Sequence, residues 1–449
     1  MDNQLLFAVV SGIVVLLFLI LKLRIQAFIS LLIASITVGL VAGMDPGQIV
    51  ATMQKGMGDT LGFVATVVGL GAMFGAILEH TGGARSIADF TLRKMGTQRA
   101  PLAMAISGFI IAIPVFFDVA FIILTPIIYA LQKRTGKSLL LYAIPLLAGL
   151  AITHTFIPPT PGPVAVADVM GVGLDKVILV GALAGVPTLI VCGLIFGKYI
   201  AGKIHIEAPV LEESKNTDSV TQLPPVGLIL FIVTTPILLI VLGTSISSGL
   251  LNLPEVSSIT QAMALLGHPF TALIISNLMA WYLLGRRQGL DKEQLFEITT
   301  RSMAPAGTII LLTGAGGVFK QVLVDTGAGE MLAAMLIGTG IPLIFFAFAS
   351  AALIRIIQGS ATVAMLTAAG IISPLLGTEM GQFQAACLVI AIASGASVLS
   401  HVNDSGFWLV GQYLGMTEKQ TAQSWTVMTT LLALTGFATA FLLSSLFSV

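Results

Sequence analysis

Charged residues and cysteines are both scarce in this chain of 449 residues. Only 9% of the residues are charged, whereas about a quarter are charged in a soluble protein, so a soluble globular protein is excluded. The 21 basic and 21 acidic residues balance, which leaves no basic surface for nucleic acid. The two cysteines, Cys192 and Cys387, lie in apolar stretches and are predicted to be buried packing residues without a disulfide.

Catalytic motifs are missing as well. No HExxH, GxSxG or P-loop pattern occurs, and the histidines are few and far apart. We therefore expect neither an enzyme nor a cofactor or metal site.

What the chain has instead is apolar sequence, with 56% hydrophobic residues and a mean hydropathy of +1.01. Runs of about 20 apolar residues are long enough to cross a bilayer as helices. They predict an all-α polytopic membrane protein with apolar stretches at 4–22, 25–43, 60–78, 101–131, 138–170, 177–198, 226–248, 263–284, 303–323, 340–373, 382–410 and 425–447. A polar segment at 201–225 is the predicted cytoplasmic linker between two membrane repeats, 1–200 and 226–449.

The two halves resemble each other in sequence. GAMFGAILEHTGGARSIA at 71–88 matches GGVFKQVLVDTGAGEMLA at 316–333 with an offset of 316 − 71 = 245 residues. Leu124-Thr125 matches Leu366-Thr367, and His154 matches His401, at similar offsets. Internal repeats with a central binding site are typical of secondary transporters.

Lysine and arginine cluster in alternate loops, and the positive-inside rule then places the N-terminus outside the cytoplasm. Both flanks of 101–131 are basic, and the stretch is too short for two spans, so we expect a re-entrant hairpin with its tip at Ile113–Asp118. The equivalent stretch 340–373 is expected to enter from outside, with its tip at Gln358–Thr362. Each half then has about five spans and one hairpin, which makes the two repeats inverted.

Two spans are interrupted by residues that no helix passes through easily. His154–Pro163 reads HTFIPPTPGP, and each proline inside a helix costs about 3 kcal/mol. His401–Phe407 reads HVNDSGF. Broken backbone at membrane depth persists where it is buried in protein or lines a wet cavity, so we expect both breaks and both tips to meet at the midplane around a binding site.

Polar residues in these segments are the candidate site, because ionisable groups in the membrane are costly. Arg355 is the candidate counter-charge for an anionic substrate, with a structural ion pair to Asp118 or Asp404 as the alternative. Asp118 is expected to carry a proton or to cap the returning helix arm. Lys320 is interpreted as a surface residue whose ammonium reaches the membrane interface. Further substrate-binding candidates are Phe117, His154, Thr155, Pro159, Gln358, Gly359, Ser360, Thr362, Asn403 and Ser405, and the proton-coupling candidates are Asp118, His154, His401 and Asp404.

Four stretches of the sequence resemble the gluconate:proton symporter family: GLGAMFGAILEHTGGA at 69–84, IPVFFDVAFIILTPIIY at 113–129, HTFIPPTPGPVA at 154–165 and SHVNDSGFW at 400–408. The resemblance extends over essentially the whole chain. It implies proton-coupled uptake of gluconate or a related sugar acid across the bacterial cytoplasmic membrane, and a dimeric, inverted-repeat protein of the elevator type. Some family members have Glu in place of Asp118 and His in place of Thr160.

Other functions stay open at this point. The family also includes carriers of D-serine and other hydroxy acids, and Asn403 and Asp404 are potential sodium ligands. An ion channel is disfavoured, because the sequence has no repeated pore filter.

Overall fold

A computed structural model describes residues 2–209, 223–247, 258–328, 331, 341–377, 380–401 and 404–446 of the chain. Every regular element in these ranges is helical. Within the same ranges, seven helices are long and apolar enough to cross a membrane, or eight if one bent pair counts as a single span. The predicted all-α polytopic membrane architecture is confirmed.

Helices follow one another along both halves of the chain. In the first half they are α1 (Asp2–Leu21), α2 (Ala27–Ala42), α3 (Pro46–His80), α4 (Gly83–Met95), α5 (Ala100–Ile111), α6 (Phe117–Thr135), α7 (Leu140–Phe156), α8 (Pro161–Met170) and α9 (Leu174–Lys203). In the second half they are α10 (Val226–Ser247), α11 (Ser258–Gly267), α12 (Pro269–Gln288), α13 (Lys292–Arg301), α14 (Met303–Asp325), α15 (Leu343–Gln358), α16 (Ala361–Ile372), α17 (Gln382–Gly395), α18 (Ser405–Tyr413) and α19 (Glu418–Leu446).

Helix α3 is much longer than the predicted span 60–78. It begins at Pro46, where the Asp45 side chain accepts a hydrogen bond from the Gly47 amide at 2.9 Å and so caps the helix. The added turns pack against α14, and a Cβ on Gly56 would lie only 2.7 Å from the Gly317 carbonyl oxygen. Glycine is required there because the two backbones approach so closely.

The repeated motif has the same local structure in both halves. Thr81 ends α3 and its hydroxyl donates to the Ile77 carbonyl, while Thr326 ends α14 and its hydroxyl donates to the Val322 carbonyl, each at 2.8 Å. The glycine that follows, Gly82 or Gly327, has φ of 73° in both cases. That left-handed conformation is open to glycine without a steric cost. The inverted orientation of the repeats stays a prediction.

Both predicted hairpins contain a helix break at the expected place. In the first, α5 and α6 are separated by 112–116, so Phe117 and Asp118 lie in the first turn of α6 instead of in the tip itself. In the second, only Gly359 and Ser360 separate α15 from α16, and Gly359 is left-handed with φ of 87°. Whether each pair returns to the face it entered stays a prediction.

Small residues bring each hairpin close to the helix that follows it. A Cβ on Gly149 of α7 would lie 2.4 Å from the Ala105 carbonyl oxygen of α5. A Cβ on Gly395 of α17 would lie 2.3 Å from the Phe348 carbonyl oxygen of α15. The first arm of each hairpin is thus packed against the helix that leads into the broken segment.

Two regions differ in outline from the predicted boundaries. The predicted straight span 263–284 is instead α11 and α12, which meet at an angle of 67° just before Pro269. Proline at the first turn of α12 accounts for the new helix start. The predicted linker 201–225 begins inside α9, and its residue Ile206 is buried and accepts a hydrogen bond from the Leu139 amide at 2.8 Å. Residues 210–222 lie outside the described part of the chain.

Candidate functional site

The broken segment of the second half is held by the last helix. After α17 the chain runs through Leu399 and Ser400, whose amides donate to the hydroxyls of Thr430 and Thr429, both at 3.3 Å. The Ser400 carbonyl accepts from the Thr426 hydroxyl. Helix α19 therefore supplies the hydrogen bonds that a continuous helix would have made internally, which is what unwound backbone inside a membrane requires.

Asp404 and Arg355 form a buried ion pair at this break. The Arg355 side chain is only 4% exposed, and its guanidinium donates both to the Asp404 carboxylate and to the Gly359 carbonyl. Asp404 also accepts from the Ser400 hydroxyl and, at 3.1 Å, from the Gly406 amide at the start of α18. Of the two ion pairs predicted as alternatives for Arg355, with Asp118 or with Asp404, the structure contains the pair with Asp404. The Arg355 Nε is buried with no partner among the described residues.

Trp425 of α19 joins this pair to the first hairpin. Its indole Nε1 donates to the Ser400 hydroxyl at 2.6 Å, and its ring lies 5.4 Å from the ring of Phe117. The neighbouring Asp118 is an exposed residue in the first turn of α6, close enough to Asp404 for the two carboxylates to interact electrostatically. Phe116, and not Asp118, occupies the N-cap position of α6, so the predicted capping role of Asp118 is not found.

His154 lies at the break of the first half. Its ring is 6.3 Å from the ring of Phe116, and its Nδ1 is buried without a hydrogen-bond partner in the described part of the chain. His154 and Pro159 line a small cavity with the tip residues 113–116 and with α3. The cavity has about 10 Å³, close to the minimum for one water molecule, and is too small for a sugar acid. A ligand of that size would fit here only if this region opened.

Two other tip residues face a larger space. Gln358 and Ser360 line a cavity of about 460 Å³ together with Arg24 and Gln26 of the α1–α2 connection and Thr308 of α14. Ser360 also caps α16 through its hydroxyl, which accepts from the Val363 amide at 3.3 Å. The second tip is thus in contact with the Arg355 pair and with a cavity in the usual size range for small-molecule sites.

The remaining candidates have less specific positions. The Thr155 hydroxyl donates to the Ala151 carbonyl of its own helix at 2.6 Å, and Thr362 is half-buried in the first turn of α16. Ser405 is exposed at the start of α18. His401 Nε2 lies 3.0 Å from the Ile356 carbonyl oxygen, beside the second tip. Asn403 falls outside the described residues.

Sequence reasoning missed several residues of this network. Ser400 precedes the predicted break, and Trp425 and Thr426 belong to a stretch that hydropathy predicts as an ordinary span. Only the fold shows that they are neighbours of Asp404, although an indole in the first turns of a terminal helix is a usable signal for a polar contact. The interpretation of Lys320 as a residue reaching the membrane interface was wrong, because its ammonium donates to the Val169 carbonyl inside the protein.

Comparison with known proteins finds relatives of this chain. The model of the family described as "GntP family permease" matches residues 4–446. The chain is 40% identical to the "Low-affinity gluconate transporter" of Escherichia coli over 95% of both chains. It is 37% identical to the "Gluconate permease" of Pseudomonas aeruginosa over 99% of this chain and 98% of the other. The YdaH transporter of Alcanivorax borkumensis has a similar fold, with a TM-score of 0.65, 15% identity and coverage of 93% of this chain and 97% of that one.

Proposed function

Since this chain belongs to the GntP family of permeases, we propose that it takes up gluconate or a related sugar acid together with protons across the bacterial cytoplasmic membrane. The two relatives support the substrate class, since both are named for gluconate. The buried Arg355 supports an anionic substrate, because a guanidinium stays charged and binds a carboxylate through two parallel hydrogen bonds.

The observation that carries the proposal is the pairing of Arg355 with Asp404. A buried charge is stable only when it is compensated, so the substrate carboxylate can take Arg355 only if Asp404 is neutralised. A proton bound to Asp404 does this, and the total charge around Arg355 then stays constant. Substrate and proton are in this way coupled at one site, and Asp404 is the first candidate among the proton carriers.

The other candidates have supporting roles in this scheme. Asp118 is an accessible carboxylate beside Asp404 and suits proton delivery. His154, with its unpartnered Nδ1, and His401 suit contacts to the substrate or to the proton. Gln358 and Ser360 suit the sugar hydroxyls, since their amide and hydroxyl groups both donate and accept hydrogen bonds.

Uptake of labelled gluconate into proteoliposomes tests the proposal. We expect accumulation that depends on an inward proton gradient at fixed sodium, and an Arg355→Ala variant that inserts normally but has no saturable uptake. Accumulation driven by sodium alone would favour the sodium-coupled alternative, and transport of D-serine without gluconate would favour the hydroxy-acid carriers. Normal uptake by Arg355→Ala would remove this residue from the site.

The membrane arrangement is a separate part of the proposal. We infer that the N-terminus is periplasmic, that the repeats are inverted, and that the protein is a homodimer working by an elevator motion. The topology is tested by single cysteines at Thr97 and Lys137, on the two flanks of the first hairpin. An impermeant thiol reagent should label both from the cytoplasmic side only. Labelling from opposite sides would contradict the re-entrant hairpin.

A further inference from the structure

Lys320 is a charged residue near the C-terminal end of an apolar helix, and the site described above does not use it. It lies in α14 and is half-buried. Its ammonium donates a hydrogen bond to the Val169 carbonyl in the last turn of α8, and the Ser373 hydroxyl donates to the same oxygen at 2.7 Å. A helix of the first half is thus held by two donors from the second half.

The electrostatics of α8 favour a cation at this position. The last carbonyls of a helix have no internal partner and carry the negative end of its dipole. Asp168 adds a carboxylate in the same turn, where a negative charge is unfavourable, and Lys320 interacts with it and with Asp59 of α3. Lys320 therefore offsets negative charge that would otherwise destabilise the end of α8.

Helix α8 connects this contact to the candidate site. Its first residue, Pro161, lines the same cavity as His154, and Val169 follows eight residues later, which places the Lys320 contact about 12 Å away along the helix. Lys320 therefore acts on the cavity through α8 and not by touching a substrate. In the first repeat the matching residue is Gly75, where a Cβ would lie 2.2 Å from the Pro114 carbonyl oxygen of the first tip. Equivalent positions of the two long helices thus contact different broken elements.

We propose that Lys320 is a positioning residue of the transport cycle, which holds α8 against α14 and keeps the cavity beside His154 closed until the bond to Val169 is released. The proposal rests on the proposed transport function, because release is required only if α8 moves during transport. The ammonium thus stabilises the contact between α8 of the first half and α14 of the second half.

Ala72 lines the same cavity from α3 and is 4% exposed. An Ala72→Cys variant therefore reports whether the cavity is closed to a thiol reagent. In this background Lys320→Met should raise the rate of labelling by a small thiol reagent about tenfold, the effect of losing one charge-assisted hydrogen bond. Ser373→Ala removes the neutral donor to the same carbonyl and should give a smaller increase. The matched control is Lys176→Met, since Lys176 pairs with Asp175 at 3.0 Å within α9 and its loss should leave labelling unchanged.

Transport kinetics give the second measurement. Gluconate counterflow by Lys320→Met should show a changed maximal rate with the KM kept within about twofold, because the side chain lies away from the substrate. Labelling rates in both Lys320→Met and Ser373→Ala equal to that of the Ala72→Cys background alone would overturn the proposal. If the unmodified chain carries no gluconate, the proposed function fails, whereas the labelling comparison still decides whether Lys320 keeps the cavity closed.

Discussion

Replacing Asp404 by asparagine should make substrate binding tighter, although it removes a charge from the site. In the proposed exchange, a sugar acid has to displace the Asp404 carboxylate from Arg355 before it binds. The variant has the shape of the protonated state, and asparagine still accepts a hydrogen bond from the Gly406 amide, as Asp404 does at 3.1 Å. Arg355 then lacks a carboxylate partner until the substrate supplies one.

The size of the effect follows from the hydrogen bonds concerned. A hydrogen bond to a charged group contributes about 1.5–3 kcal/mol. In the variant the substrate carboxylate no longer competes with the Asp404 carboxylate for Arg355, so the Kd for the substrate should fall about 10- to 100-fold. The proposed exchange binds a proton together with the substrate in the native chain, so the affinity for the substrate should rise as the pH falls. In Asp404→Asn that pH dependence should be lost, since the side chain no longer titrates. Proton-driven accumulation should be lost with it.

Binding of labelled gluconate to purified protein over a range of pH measures both effects. Asp118→Asn is the matched control, because it neutralises the neighbouring carboxylate without touching the Arg355 pair. A weaker Kd in folded Asp404→Asn, or a pH dependence like that of the native chain, would refute the exchange of carboxylates on Arg355.

Two further substitutions test the packing that supports the site, each through the unfolding midpoint in detergent. Gly75→Ala should destabilise the protein by about 1–3 kcal/mol, because its Cβ would lie 2.2 Å from the Pro114 carbonyl oxygen and backbone cannot move aside cheaply. Gly69→Ala in the same helix has nothing within 4 Å of its Cβ and should stabilise by a fraction of about 1 kcal/mol, so equal effects of the two would contradict this packing. Trp425→Phe keeps the ring but loses the 2.6 Å hydrogen bond to Ser400, which should cost about 1 kcal/mol and reduce uptake; unchanged stability and uptake would show that this bond is dispensable.

The parts of the fold that local chemistry determines were predictable. The closely spaced prolines around Pro159 and the left-handed glycine at Gly359 disfavour a continuous helix through their own chemistry, and both breaks are found at those places. Single prolines are weaker signals, since Pro126 and Pro145 lie inside helices. Arg355 and Asp404 were identified because charges in apolar sequence are rare, and they form one ion pair in the fold. The matched Thr81 and Thr326 also end their helices in the same way.

The parts of the fold that depend on residues far away in the sequence were not predictable. The first turns of α3 looked too polar for a span, but Thr52 in these turns is buried against α14, where its hydroxyl donates to the Asp325 carboxylate at 2.7 Å. Lys320 was misjudged for a similar reason, because its partner Val169 lies 151 residues away. Neither contact can be predicted from hydropathy, because hydropathy describes the average polarity of one segment and does not identify the residues that pack against it.

The hydrogen bonds from α19 to Ser400 have a consequence for how the protein is made. Leu399 and Ser400 leave the ribosome before Thr426, Thr429 and Thr430, so for that interval the Leu399 amide and the Ser400 amide and carbonyl lack the partners that they have in the finished molecule. Water or the insertion machinery must solvate them until the final helix arrives. A polypeptide that stops before Trp425 would contain all the helices that precede α19. It would still lack the hydrogen bonds from α19 that hold Ser400, the residue whose hydroxyl donates to Asp404.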